Sequence, residues 1–216
     1  ELVTIYVSLE LATLPLAALA AFLRDERSSE AGIKFLLLGA MSSALLLYGM
    51  VLVYGFTGST QLAEIARAVT PGDTPFGSYA MLAGIALMVA GFGFKISMVP
   101  FQMWAPDVYE GAPTPVVAYL SVASKAAGFA LLLRVFYVAF GNVNVDWSIL
   151  FAVLSALTMT IGNLVAIAQN NIKRLLGYST IAQAGYILVG VAAITASAPD
   201  GGVSGLGPSG VLFYLG

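Results

Sequence analysis

Three ionisable residues, Glu10, Lys95 and Lys125, stand inside long apolar runs of this 216-residue sequence. A charged side chain at the centre of a membrane helix costs about 2.5–3.5 kcal/mol on insertion scales, so each is a functional candidate by default. A carboxylate and an ammonium group can pass a proton. Burial of a lysine disfavours its charged form, and a neighbouring carboxylate restores it. A lysine whose partner comes and goes is therefore a proton site that can be switched. Other chemistries lack their reagents. There is no Cys for a disulfide, a thiolate metal site or an iron–sulfur cluster, and no His for a metal or as a general base. Gly91-Phe92-Gly93 lies within an apolar run, so it is not a dinucleotide loop.

The elements that must position these groups follow from composition. The chain is 59% hydrophobic and 9% charged, with mean hydropathy +0.92. Soluble domains carry roughly a quarter charged residues, and disordered chains are far less apolar. Nine Lys and Arg against eleven Asp and Glu give a net charge of -2, too acidic for a nucleic-acid partner. The class is an all-α polytopic membrane protein in a lipid bilayer.

Runs long enough to cross about 30 Å of hydrocarbon need about 20 residues. Six are present: Leu2–Leu23, Ala31–Phe56, Tyr79–Trp104, Pro115–Phe140, Trp147–Ala168 and Ile172–Ala196, with a seventh beginning at Val211. The chain opens at Glu1, without Met, in an apolar stretch and closes at Gly216 as another starts, the pattern expected of a segment of a longer protein. No signal peptide is recognisable. Residues 59–70 read as a short amphipathic surface helix before a Pro71-Gly72-Asp73 turn, and 197–210 as a flexible outer loop. Arg24, Arg27 and Lys34 mark the first loop and Lys173 and Arg174 the fifth. Loops two, four and six offer only Arg67, so loops one, three and five are expected on the cytoplasmic side.

Gly91, Gly93 and Pro100 interrupt the third span around Lys95, predicting a broken helix with movable backbone and room for water. If the spans stay near helical rise, Glu10, Lys95 and Lys125 lie roughly 20, 14 and 15 Å from the inner face, in one layer near the midplane. Plain structural roles stand beside the functional ones. Glu10 and Lys95 could form a static ion pair, and Lys125, among Ser121, Ser124, Ala126, Ala127 and Gly128, could fix helix register. Lys34 reads equally as an anchor, and Arg134 as a side chain snorkelling to the headgroups. Ser179, Gln183 and Tyr186 form a polar stripe suited to interhelical hydrogen bonds or to lining a water path, and Asp107 and Glu110 brace the third loop.

The stretch FKISMVPFQMWAPDVYEGAPTPVVAYLSVASKAAGFALLLRVF, residues 94–136, resembles the antiporter-like membrane subunits of NADH-quinone oxidoreductase (respiratory complex I), closest to the subunit N branch. LELATLPLAALAAF at 9–22 and NLVAIAQNNIKRLLGYSTIAQAGYILVG at 163–190 carry the same likeness. The resemblance implies a fourteen-helix antiporter-like bundle of two inverted repeats, each with one discontinuous helix. This chain would be a single transmembrane domain within it, 1–140 most of the first repeat and 147–216 the start of the second. By the same resemblance Glu10 is the glutamate of the fifth helix, Lys34 a lysine at the start of the sixth, Lys95 the lysine of the broken seventh and Lys125 the central lysine of the eighth. All four are proton-transfer residues on this reading, with Glu10 and Lys95 the switch and Lys125 the onward relay.

Some relatives carry a His near Gln183. Gln cannot titrate, so that helix receives no proton site, and the exit-side lysine is expected beyond Gly216. The resemblance further implies no cofactor on this chain. NADH, FMN, iron–sulfur clusters and quinone would belong to partner subunits, other membrane subunits would be its neighbours, and it would be multi-pass in the inner (plasma) membrane. A sodium–proton antiporter subunit and a scaffold with purely structural charges are the other function classes left open.

Overall fold

The computed structural model describes residues 1–69, 75–141, 147–195 and 206–215. Among them are ten helices: α1 (Leu2–Ala20), α2 (Glu26–Thr57), α3 (Leu62–Ala68), α4 (Pro75–Ile96), α5 (Trp104–Gly111), α6 (Thr114–Ser121), α7 (Ala123–Val138), α8 (Trp147–Ile167), α9 (Ile172–Thr195) and α10 (Leu206–Leu215). Six spans, with α6 and α7 counted as one, are long and apolar enough to cross a membrane. The expected turn at 71–73 and most of the 197–210 loop fall outside the described residues. The end of that loop is corrected, because α10 begins at Leu206, five residues before the apolar run.

Local chemistry sets several ends. Asp25 caps α2 by accepting from the Ser28 backbone N–H at 2.7 Å, with Glu26 favourably placed in the first turn. The helix therefore starts five residues before the apolar run and lifts Lys34 two turns inside it. Gly58, at φ 69°, ends α2 in the left-handed conformation that glycine adopts without strain.

The third span differs from expectation in a way that matters for the site. α4 runs unbroken through Gly91 and Gly93 and stops at Ile96, so the break follows Lys95 rather than preceding it. Residues 97–103 are irregular. Ser97 takes a left-handed φ of 60°, and the Met98 N–H returns to the Gly93 carbonyl at 2.8 Å. The Phe94 carbonyl accepts both the Ser97 N–H at 3.1 Å and the Trp104 indole N–H at 2.9 Å, and the Val99 N–H donates to Thr158 Oγ1 on α8 at 3.1 Å. Irregular backbone is tolerated at membrane depth only where protein buries it, and Ser97, Met98 and Val99 are buried. Because Trp104 folds back beside Phe94, helical rise from Trp104 does not measure the depth of Lys95.

The fourth span is also broken, at Val122 (φ -114°, ψ -72°), leaving α6 and α7 as separate helices. The apolar run Pro115–Phe140 predicts one helix, since no Gly or Pro marks the place of the break. Lys125 thus lies in the first turn of α7.

Packing is closest within α8–α9 and α2–α4. Small residues make both possible. A Cβ on Gly49 would sit 2.6 Å from the Gly84 carbonyl oxygen, and one on Gly162 would sit 2.7 Å from the Ala182 backbone nitrogen. The short α5 lies between α2 and α9. Lys34, Asp107 and Arg174 touch there, so loops one, three and five share one face of the bundle. Glu1 and Thr60 meet on the other.

Candidate proton-transfer site

Glu10 on α1 and Lys95 at the end of α4 line one small cavity of about 20 Å³ with Thr13, Ser42 and Ser43 among apolar neighbours that include Leu9, Leu46 and Phe94. That volume admits about one water molecule. The static ion pair left open as their plain structural role is not made. Each group takes a hydroxyl instead: Ser43 Oγ of α2 donates to Glu10 Oε1, and Lys95 Nζ donates to Thr13 Oγ1 of α1 at 2.7 Å. The Thr13 hydroxyl itself donates to the Leu9 carbonyl at 2.6 Å, which orients its lone pairs toward Lys95. Ser42 Oγ donates to the Gly91 carbonyl at 3.2 Å and ties α2 to α4 beside the pair. Lys95 is 7% exposed.

On its other side Lys95 borders a cavity of about 290 Å³ between α1 and the α6–α7 pair, lined there by Ser8, Tyr119, Ser124 and Ala127. Ser124 neighbours Lys125 in the chain. Lys125 is 4% exposed and faces packed helices, as its small neighbours predict. Its Nζ donates to the Thr180 carbonyl of α9 at 3.0 Å and lies 6.0 Å from the Tyr109 ring centroid, within cation–π range. Burial pushes the Tyr109 phenol up to about 12, so the hydroxyl keeps its proton at neutral pH. Gly128, one turn along α7, faces Lys95 directly: a Cβ there would meet Ile96 Cγ2 at 2.8 Å and Lys95 Cγ at 3.3 Å. The missing side chain is what lets the two lysine-bearing helices approach.

Lys34 lies apart from both cavities. It pairs with Glu30 at 2.7 Å and with Asp107 at 2.6 Å, and Arg174 bridges Asp107 at 2.7 Å and Glu110 at 3.0 Å. These charges line a cavity of about 190 Å³ shared with Arg27 and Gly111. Burial acts to raise the Asp107 carboxyl, but hydrogen bonds from Lys34 and Arg174, together with their charges, hold it below its ordinary 3.8. Glu110 also accepts from Asn171 Nδ2 at 3.0 Å. Asp107 and Glu110 therefore brace more than their own loop, joining α2, α5 and α9. Arg134 is exposed, consistent with an anchor. The polar stripe makes interhelical hydrogen bonds: Tyr186 accepts from Asn163 at 3.1 Å, and Gln183 accepts from the Tyr214 hydroxyl. Among the described residues no group of His, Cys, Asp and Glu could hold a metal ion.

A family model described as NADH:quinone oxidoreductase/Mrp antiporter, transmembrane, matches residues 1–204. The chain belongs to that family.

Relatives within the NADH:quinone oxidoreductase/Mrp antiporter family are unevenly close. NADH-quinone oxidoreductase subunit N of Desulforamulus reducens is 53% identical over 216 residues, covering 99% of this chain and 43% of that protein. A chain of respiratory complex I from Thermus thermophilus with bound Aureothin matches with TM-score 0.77 and 39% identity, over 99% of this chain and 44% of that one. A chain of the Mrp complex from Dietzia sp. DQ12-45-1b matches with TM-score 0.82 but 25% identity, over 100% of this chain and 38% of that one. This chain thus spans less than half the length of the relatives it matches.

Several residues of this antiporter-family chain escaped the sequence reading. Thr13, Ser42 and Ser43 gave no signal, because hydroxyls in apolar helices commonly bond their own i-4 carbonyls, as Thr13 also does. The three-helix charge network escaped because Lys34, Asp107, Glu110 and Arg174, though noted singly, lie far apart in sequence, and Glu30 was not singled out.

Proposed function

We propose that this chain is the proton-carrying portion of a membrane subunit of an NADH-quinone oxidoreductase, multi-pass in the inner (plasma) membrane. NADH oxidation and quinone reduction, with FMN, iron–sulfur clusters and quinone, would belong to partner subunits, and other membrane subunits would flank it. The observation that carries the reading is the single cavity into which Glu10 and Lys95, from separate helices, both project without pairing. Two titratable groups of opposite charge held that near, each on a hydroxyl, have two arrangements: apart as observed, or joined. Joining favours a protonated Lys95, and separation frees its proton.

Lys125, which follows the cavity-lining Ser124 in the chain, is the next acceptor on this reading, and the irregular segment after Lys95 supplies movable backbone. Lys34, bound to two carboxylates at the loop face, is given the smaller part, exchanging protons at the mouth while chiefly anchoring α2. Identity favours this assignment over a sodium–proton antiporter subunit, although the fold is common to both.

The test is the whole enzyme carrying Glu10→Ala or Lys95→Ala. Proton pumping and coupled quinone reduction are expected to fall while assembly stays normal, and normal coupled turnover in both variants would refute the assignment. Copurification with flavin and iron–sulfur subunits is expected; its absence would favour the antiporter reading.

A further inference from the structure

Two hydroxyls outside the set of titratable groups hold the pair in its observed state. Ser43 Oγ reaches across from α2 to the Glu10 carboxylate, and Thr13 Oγ1 on α1 receives the Lys95 ammonium at 2.7 Å. Both contacts join separate helices, and all four residues line the same cavity. The Thr13 side chain is buried, with its own proton committed to the Leu9 carbonyl at 2.6 Å, so toward Lys95 it can only accept. Ser43 offers its proton, so toward Glu10 it donates. Each hydroxyl thus presents the polarity that its partner would otherwise seek in the opposing charge.

We infer that Thr13 and Ser43 are positioning residues that compete with the Glu10–Lys95 ion pair and stabilise its separated arrangement, so that they set how often the proton on Lys95 is released. The inference rests on the proposed proton-carrying role of that pair. Hydrogen bonds to charged groups are stronger than neutral ones, and removing one is expected to shift the balance toward the joined pair by about tenfold or more. A joined pair retains its proton, and pumping slows accordingly.

The experiment uses the complete enzyme in proteoliposomes, with NADH-driven proton uptake recorded for Thr13→Val, Thr13→Ser, Ser43→Ala and Ser43→Thr beside Glu10→Ala and Lys95→Ala. Thr13→Val keeps shape and volume but loses the acceptor, whereas Thr13→Ser keeps the hydroxyl and loses a methyl. Slowing of about tenfold in Thr13→Val and Ser43→Ala, with near-normal pumping in the two hydroxyl-retaining variants, is the expected result. A packing role would produce the reverse order at position 13 and would overturn the inference. Normal pumping in Thr13→Val and Ser43→Ala, while Glu10→Ala and Lys95→Ala are defective, would overturn it and leave the function of the pair standing. Normal pumping in Glu10→Ala and Lys95→Ala would remove both. Should Thr13→Val fail to assemble, Ser43→Ala against Ser43→Thr decides the matter from the other helix.

Discussion

Replacing Lys125 separates a relay from a scaffold, provided that two variants are compared. Its side chain is 4% exposed, with Nζ at 3.0 Å from the Thr180 carbonyl. Lys125→Met keeps the length and the apolar stem and removes only the charged head. Near-isosteric exchanges in a packed interior cost under about 1.5 kcal/mol, and losing a buried charge offsets part of that. Lys125→Ala removes the stem as well and leaves a void between α7 and α9. By analogy with buried Met or Leu to Ala, that costs about 2–5 kcal/mol. Stability should therefore order wild type and Met close together, with Ala well below. Proton passage should order differently, because neither Met nor Ala titrates. Positioned proton-transfer groups contribute about 10²–10⁴-fold, so a loss of at least about a hundredfold at this step is expected in both. The assay is NADH-driven acidification in proteoliposomes, with assembly followed on native gels and by thermal unfolding of the purified enzyme. Full pumping in an assembled Lys125→Met enzyme would refute the relay and leave Lys125 a structural residue.

Three further outcomes are expected. Lys34→Ala should reduce pumping less than Lys95→Ala, since Asp107 also pairs with Arg174, at 2.7 Å, and does not depend on Lys34 alone; equal losses measured in the same enzyme would contradict this. The Asp107 carboxyl, held below 3.8 by Lys34 and Arg174, contributes stability that is present above its unfolded value and lost as pH falls through the lower folded one. Protease protection of the 97–113 segment should hold from pH 8 to 5 and fail only below about pH 4, and Asp107→Asn should weaken it at neutral pH. Gly162→Val should abolish assembly, because a Cβ there would stand 2.7 Å from backbone on α9; a normal assembled yield would show that the α8–α9 crossing is looser than described.

Much of the bundle was legible because apolar length is a strong signal, and lone charges within it are conspicuous. Glu10, Lys95 and Lys125 came from that contrast alone. Break positions were less legible. Pro100 announced one, but the residue before a proline resists helical geometry and the preceding turn had already unwound, so the helix stops at Ile96. The Val122 break carries no Pro or Gly, and the bond from Ser121 Oγ back to the Ala118 carbonyl at 2.8 Å is one that helical serines commonly make. Asp107 and Arg174 could be read as loop charges, but their meeting depends on how α5 is folded between α2 and α9, which helical periodicity does not encode.

If Glu10 and Lys95 work as one unit across their shared cavity, a double-substitution cycle in the complete enzyme will reveal it. Protons pumped per NADH oxidised are measured for Glu10→Gln, Lys95→Met and the two combined. The combined variant is expected to pump no worse than the poorer single one. Losses that multiply would show two independent residues and contradict it.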